Sequence, residues 1–272
     1  MIPRTLHYCW FGGCELPEST RRYIDGWRRL CPDFEIRQWD ETNFPIDDYP
    51  YARQAYDAGK YAFVSDVARL YALTREGGIY LDTDVEMLQP LTPFLNEPAF
   101  MGFERERRSN TASHVATCVM GSEPGSTFAR ENLEEYRSIS FIRPDGTMDT
   151  TTNVARITGY MLSKGLAIAN TTQHIEGIAT IYPYQYFCPR TDRTGTIRRA
   201  DRGHNYAIHH YDGRWLLCNT PEYVALRRRY KPIPYFIRKK LILALLGINT
   251  RGFFPTILRL KRWLFRKNFV SL

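Results

Sequence analysis

Apolar and polar positions along the chain switch repeatedly between a two-residue and a helical period, and the switches predict an α/β fold. Ile2 to Phe11 is a mostly apolar run ending on Gly12-Gly13, the pattern of a buried strand. A helix is expected from Leu16-Pro17-Glu18-Ser19 through Leu30, broken by Cys31-Pro32-Asp33, after which Phe34 to Trp39 returns to strand alternation. This is a strand, helix, strand unit of the nucleotide-binding kind. Lys60 to Glu76 carries Val64, Val67, Ala68, Tyr71 and Ala72 on one helical face, with Ser65 as the expected N-cap and Gly77-Gly78 as the stop. Ile79 to Val85 is too short for a helix and reads as one buried strand. Strands are expected at Ala99 to Glu104 and Ala116 to Gly121, helices at Ser126 to Arg137 and Thr152 to Lys164, and extended segments at Thr180 to Phe187 and Asn205 to Tyr211.

At 272 residues, with 43% hydrophobic and 24% charged side chains, the chain has the length and composition of an ordinary globular protein with room for one large domain and an appendage. Its six cysteines show no CxxC pair or zinc-ligand spacing. Met1 to Trp10 lacks the basic and apolar regions of a signal peptide, so reduced thiols in a cytoplasmic compartment are expected. The net charge of +8 hides an asymmetry: residues 221–272 hold 13 Lys/Arg against the single acid Glu222, leaving −4 on residues 1–220. The expected organisation is a catalytic domain over 1–220 and a basic amphipathic helical tail over 221–272.

Candidate chemistry centres on Asp82-Thr83-Asp84. On extended backbone, carboxylates two residues apart project from one face, where they suit a hard divalent cation shared with phosphate oxygens. Asp66 and Arg69, three apart on a helix, fit an ordinary ion pair, or contacts to a ribose or sugar hydroxyl and a phosphate. Trp10, at the end of the first strand, fits either core or a platform for a nucleobase. His209 and His210 are adjacent on an extended segment and face opposite ways, so only one can join the aspartates; Tyr211-Asp212-Gly213-Arg214-Trp215 follows with a turn, a cation and an aromatic. Asn153, at a helix start, fits an N-cap or a residue near the reacting sugar.

Four blocks carry a resemblance: Ile2 to Gly13, Ala62 to Tyr71, Gly77 to Val85, and Ala207 to Trp215. In that order the chain resembles the family 32 glycosyltransferases, the DXD sugar-binding group that includes capsular polysaccharide enzymes and yeast-type initiating mannosyltransferases. The resemblance implies a GT-A fold with a single Rossmann-like nucleotide-sugar-binding domain. It also implies a UDP- or GDP-sugar donor, Mn²⁺ or Mg²⁺, and retention of anomeric configuration. Carried over by position, Trp10 stacks on the base, Asp66 and Arg69 bind the sugar and ribose region, and Asp82 contacts ribose and metal. Asp84 is then the direct ligand, His210 the third ligand, and Trp215 lines the donor site. Many members have Ser where this chain has Arg214, which as a cation is expected to face the leaving diphosphate.

The tail segments 234–248 and 255–270 mix aromatic and aliphatic anchors with Lys/Arg and lack an uncharged stretch long enough to cross a bilayer. They fit an interfacial helix on an anionic cytoplasmic leaflet, which would bring the enzyme to a glycan or lipid-linked acceptor at the inner face of the membrane. Packing on the body and an oligomer contact are the alternatives for this segment; no nucleic-acid motif accompanies the charge. A metal-dependent nucleotidyl or phosphoryl transferase and a non-catalytic nucleotide-sugar-binding module are the alternative functions.

Overall fold

The first strand, β1 (Thr5–Cys9), is covered on both faces: four of its five residues are buried. Leu6 and Tyr8 enter one hydrophobic cluster with Ile24 and Trp27 of helix α1 (Glu18–Leu30); Cys9 enters a second with Val64, Val67 and Leu70 of helix α3 (Tyr61–Glu76). The same division recurs in β3 (Gly78–Leu81): Ile79 and Leu81 face the α1 side, Tyr80 the α3 side. Strand β2 (Glu35–Trp39) pairs parallel with β1, and β1 pairs parallel with β3. Helix α2 (Pro50–Asp57), not anticipated from the sequence, precedes α3 and packs Tyr51, Ala52 and Ala55 into the α3-side cluster.

In this computed structural model the described residues are 1–105, 111–191, 196–211 and Tyr230. After β3 come β4 (Val85–Met87), β5 (Ala99–Arg105), β6 (Ala112–Ser122), helices α4 (Thr127–Ser138) and α5 (Asn153–Ser163), then β7 (Gln173–Ile175), β8 (Ala179–Tyr182) and β9 (Ala207–His209). The main sheet runs β2-β1-β3-β6-β5-β8-β7, and β4 and β9 form a separate antiparallel ribbon. The chain therefore leaves β1 toward β2 on one side and returns to β3 on the other. That reversal opens a crevice at the carboxyl ends of β1 and β3, where open α/β sheets bind ligands. The α/β class is as the sequence predicts.

Four local expectations are corrected. The expected strand Ile79 to Val85 stops at Leu81: Asp82 to Asp84 forms a tight turn, with Val85 N donating to the Asp82 carbonyl at 3.0 Å. Ser65 does not cap α3. The helix begins four residues earlier, and the Ser65 hydroxyl donates back to the Tyr61 carbonyl at 3.0 Å. The cap of α5 is Thr152, whose oxygen accepts from Ala155 N, so Asn153 is the first helical residue. The segment expected to stay extended to Phe187 turns into a short 3₁₀ helix at Tyr184–Tyr186. Contacts divide the chain into Met1–Asp212 and Gly213–Leu272. Arg214, Trp215 and, apart from Tyr230, the expected helical tail lie outside the described residues. Among the described residues no helix is long and apolar enough to cross a membrane.

The start of β3 is fixed by a close approach that only glycine allows. Gly78 has φ +97°, and a Cβ there would lie 2.7 Å from the Thr5 carbonyl oxygen and 2.8 Å from His7 Nε2. His7 is fully buried, accepts at Nδ1 from Trp39 Nε1 (3.0 Å) and donates from Nε2 to the Gly77 carbonyl (2.7 Å). Burial holds it neutral, with its pKa lowered to about 4.

Two outcomes follow for stability. Gly78→Ala is expected to lower the unfolding free energy by about 1–3 kcal/mol from the clash alone; an unchanged denaturation midpoint would contradict this. Between pH 6.5 and about 4 the unfolded chain protonates His7 and the folded chain does not, so stability drops as pH falls through that window. The contribution is at most about 3 kcal/mol and should vanish from the pH profile of His7→Gln; parallel profiles for the two proteins would refute it.

Candidate metal and donor site

Asp82 and Asp84 meet at the carboxyl end of β3, brought together by the turn rather than by strand alternation. Asp82 is fixed through one carboxylate oxygen, Oδ1, which accepts from the Tyr80 hydroxyl at 2.9 Å and lies 3.3 Å from Arg69 Nη1. Its backbone N–H donates to the Cys118 carbonyl at 2.9 Å, tying the turn to β6. The other oxygen, Oδ2, faces His209, 3.9 Å from Nε2, and Asp84 Oδ1 is 3.2 Å from the same nitrogen. One ligand atom from each of Asp82, Asp84 and His209 lies within 4.8 Å of the others. Two carboxylates and an imidazole fit Mn²⁺ or Mg²⁺ by donor chemistry.

His209 therefore takes the place expected of His210. In the ribbon Val85 pairs with His209, and His210 N donates to the Asp84 carbonyl at 3.0 Å. Alternation then puts His210 on the face of Glu86, where its Nε2 is 2.8 Å from Oε2 and its ring stacks on Tyr23 at 5.1 Å. The sequence identified the pair and the need to choose. It did not show that the aspartates leave the strand, which reverses which histidine they meet. Burial opposes charge on His209, but the adjacent Asp84 carboxylate and Cys188 thiol outweigh it and raise its pKa well above the usual value.

The i,i+3 ion pair expected of Asp66 and Arg69 is present, and Arg69 reaches further. Its guanidinium, 6% exposed, lies 3.1 Å from Asp66 Oδ1 and 3.3 Å from Asp82 Oδ1. It also donates to the Ser65 carbonyl (3.2 Å) and the Thr117 carbonyl (2.9 Å), and covers the Tyr80 ring at 4.5 Å. Burial opposes its charge, while Tyr80, Asp82 and Asp66 together hold its pKa above the usual arginine value. The guanidinium thus makes two hydrogen bonds to carbonyls and two ion pairs, which makes Arg69 a residue that positions Asp82. Asp66, also buried, has its carboxyl pushed up to about 6 by desolvation, with Arg69 pulling the other way. Asn153 donates from its backbone to Asp66 Oδ2 (3.3 Å) and from Nδ2 to the Asp66 carbonyl (2.9 Å), leaving its own buried Oδ1 without a partner.

Trp10 follows β1 at the same end of the sheet, half-buried, its Nε1 donating to the Cys14 carbonyl at 2.6 Å. It packs against the α1-side cluster, as the core reading expects. Sequence reasoning missed Tyr80 and Thr117. Tyr80 was legible, since two residues before Asp82 on a strand it shares that residue's face. Thr117 acts through a carbonyl, which leaves no mark in the sequence. A cleft of about 350 Å³ lined by Arg37, Trp39, Asn43, Tyr71, Arg75 and Glu76 includes none of these residues.

Comparison with known proteins follows the same residues. The alignment with inositol phosphoceramide mannosyltransferase 3 of Schizosaccharomyces pombe is 33% identical over 148 residues, covering 52% of this chain and 38% of that protein. Mannosyl phosphorylinositol ceramide synthase SUR1 of Saccharomyces cerevisiae is 28% identical over 149 residues, 52% of this chain and 37% of that protein. An uncharacterized glycosyltransferase of Acanthamoeba polyphaga mimivirus is 32% identical over 130 residues, 46% of this chain and 51% of that protein. The matched region is thus about half or less of these relatives' own length. Among solved structures, the PaToxG glycosyltransferase aligns with 16% identity and a TM-score of 0.45, covering 60% of this chain and 70% of that one. The galactosyltransferase LgtC aligns with 14% identity and a TM-score of 0.38, covering 86% and 99%. Residues 17–101, which include Asp66, Arg69, Asp82 and Asp84, match the family described as the glycosyltransferase sugar-binding region containing DXD motif.

Proposed function

We propose that this chain is a retaining, metal-dependent hexosyltransferase of GT-A type that moves a sugar from a UDP- or GDP-sugar to a glycan or lipid-linked acceptor. The observation that carries this reading is the three-residue donor set, Asp82, Asp84 and His209, at the crevice beyond β1 and β3. Asp82, Asp84 and His209 would hold a divalent ion, which would supply counter-charge for the leaving diphosphate. The protein's own part is positioning. Arg69 and Tyr80 hold Asp82 by Oδ1 and leave Oδ2 turned to the site. Asn153 donates to the Asp66 carbonyl and so ties the start of α5 to α3. Trp10, at the same end of the sheet, offers an aromatic face for a base. The names of the relatives, inositol phosphoceramide mannosyltransferases, favour a mannosyl unit and a lipid acceptor within this range.

In the presence of Mn²⁺ and without acceptor, the chain is expected to release nucleoside diphosphate slowly from its donor. Asp84→Asn should slow that release by roughly 10²-fold or more. His209→Ala should raise the Mn²⁺ concentration needed for half-maximal rate by at least about tenfold, and His210→Ala by less than about threefold. The reverse order for the two histidines would return the ligand role to His210; release at the unmodified rate from Asp84→Asn would refute the site.

The basic tail is proposed to hold the enzyme on the anionic inner face of the membrane, a reading supported by its 13 Lys/Arg interleaved with aromatic and aliphatic residues. Vesicles containing anionic lipid should sediment the full chain and leave a chain ending at Asn219 in solution. Equal sedimentation of both would contradict it.

A further inference from the structure

Beneath the aspartates lies a second group of metal donors that the proposed reaction does not use. Cys118 on β6 and Cys188, just after the 3₁₀ turn at Tyr184–Tyr186, are 2% and 3% exposed, and their sulfurs are 3.5 Å apart. One nitrogen of His209 and the two sulfurs lie within 4.8 Å of one another. His209 is thus common to two donor sets of different character: two carboxylates on one side and two thiols on the other. Its Nδ1 is buried and has no hydrogen-bond partner, an arrangement that leaves a nitrogen lone pair or N–H unsatisfied in the folded protein.

The spacing of the sulfurs suits a soft ion. A disulfide requires about 2.0 Å between them. Two thiolates on a tetrahedral zinc, each about 2.3 Å from the metal, stand about 3.8 Å apart. The observed 3.5 Å is a few tenths of an ångström from the second value and far from the first. Thiolates with an imidazole select Zn²⁺ or Cd²⁺ over Mn²⁺ and Mg²⁺, which prefer oxygen. No CxxC pattern announces the site, because its ligands come from a sheet strand, a loop 70 residues later and the ribbon strand β9.

We propose that Cys118, Cys188 and His209 form a thiophilic metal site, adjacent to the acidic site and sharing His209 with it, so that Zn²⁺ or Cd²⁺ captured by the thiols withdraws that histidine from the aspartates. Binding at this site requires both thiols to lose their protons on coordination, and those protons go to solvent. Only the second half of the proposal, competition for His209, rests on the function proposed above.

The test uses the reduced full-length protein. Titration with Co²⁺, as a spectroscopic stand-in for Zn²⁺, should produce a thiolate-to-metal charge-transfer band that saturates at one equivalent. X-ray absorption of the Zn²⁺-loaded chain should find two sulfur neighbours at about 2.3 Å. Cys118→Ser and Cys188→Ser should each abolish the band and weaken Zn²⁺ binding by more than about tenfold, whereas Cys14→Ser, at an exposed thiol, should leave both unchanged. A zinc neighbour shell of nitrogen and oxygen alone, or a band that persists in both buried-cysteine variants, overturns the site. The absorption measurement needs no variant and decides the matter even if a cysteine replacement fails to fold. For the shared histidine, one equivalent of Zn²⁺ should inhibit Mn²⁺-supported donor hydrolysis, and Cys188→Ser should relieve the inhibition. Zinc bound through two sulfurs without inhibition overturns the sharing of His209. A chain that binds zinc this way but shows no basal hydrolysis counts against the proposed function and leaves the metal site standing.

Discussion

The site depends on one buried cation. Arg69 lies under the crevice with its guanidinium bridging Asp66 of its own helix to Asp82 beyond β3, and its remaining hydrogen bonds run to Ser65 and to Thr117 on β6. The consecutive elements α3 and β3 and, further along the chain, β6 therefore meet on a single side chain. A charge taken out of water is tolerated only when its donors are satisfied, and deleting one partner of a buried pair typically costs about 3–5 kcal/mol. The cation also neutralises part of the acidic cluster. Asp66 and Asp82 can thus stand close together without forcing each other apart.

Around that anchor the architecture does two things. The parallel half of the sheet, β2-β1-β3, is buried on both faces and sets the crevice at its carboxyl edge, where Trp10 and the aspartate turn both emerge. The β4–β9 ribbon then swings back across the turn and delivers His209 to the carboxylates. Trp27 of α1 helps hold the ribbon in place, donating from Nε1 to the Val85 carbonyl at 3.0 Å. The metal donors are thus supplied by a rigid strand end and by a short ribbon braced from the opposite face of the sheet. The thiol pair lies against the same histidine, which gives one imidazole two competing environments.

Much of this was legible in the sequence because period and punctuation agree there. The apolar runs at Ile2 to Phe11 and around Ile79 are buried strands, Gly77-Gly78 ends α3 with two positive-φ glycines, and Ser126 caps α4 through a bond from Ala129 N. What was not legible depended on tertiary contacts. Asp82-Thr83-Asp84 looks like strand continuation, yet the chain turns after Leu81, and that earlier strand end moved the histidine partner from His210 to His209. Ser65 has the chemistry of a cap, but Lys60 ends the preceding turn and leaves the serine inside the helix. The role of Asn153 as a brace for Asp66 could not be read from a helix start alone.

The central claim is that Asp82, Asp84 and His209 hold a divalent ion that in turn holds the diphosphate of a nucleotide sugar. Calorimetric titration of GDP- and UDP-sugars into the protein, with and without Mn²⁺, tests it most directly. The account predicts donor binding that appears with Mn²⁺, weakens at least about tenfold without it, and is lost with Mn²⁺ in Asp84→Asn. Donor binding of equal strength with and without metal, unaffected by Asp84→Asn, would contradict it.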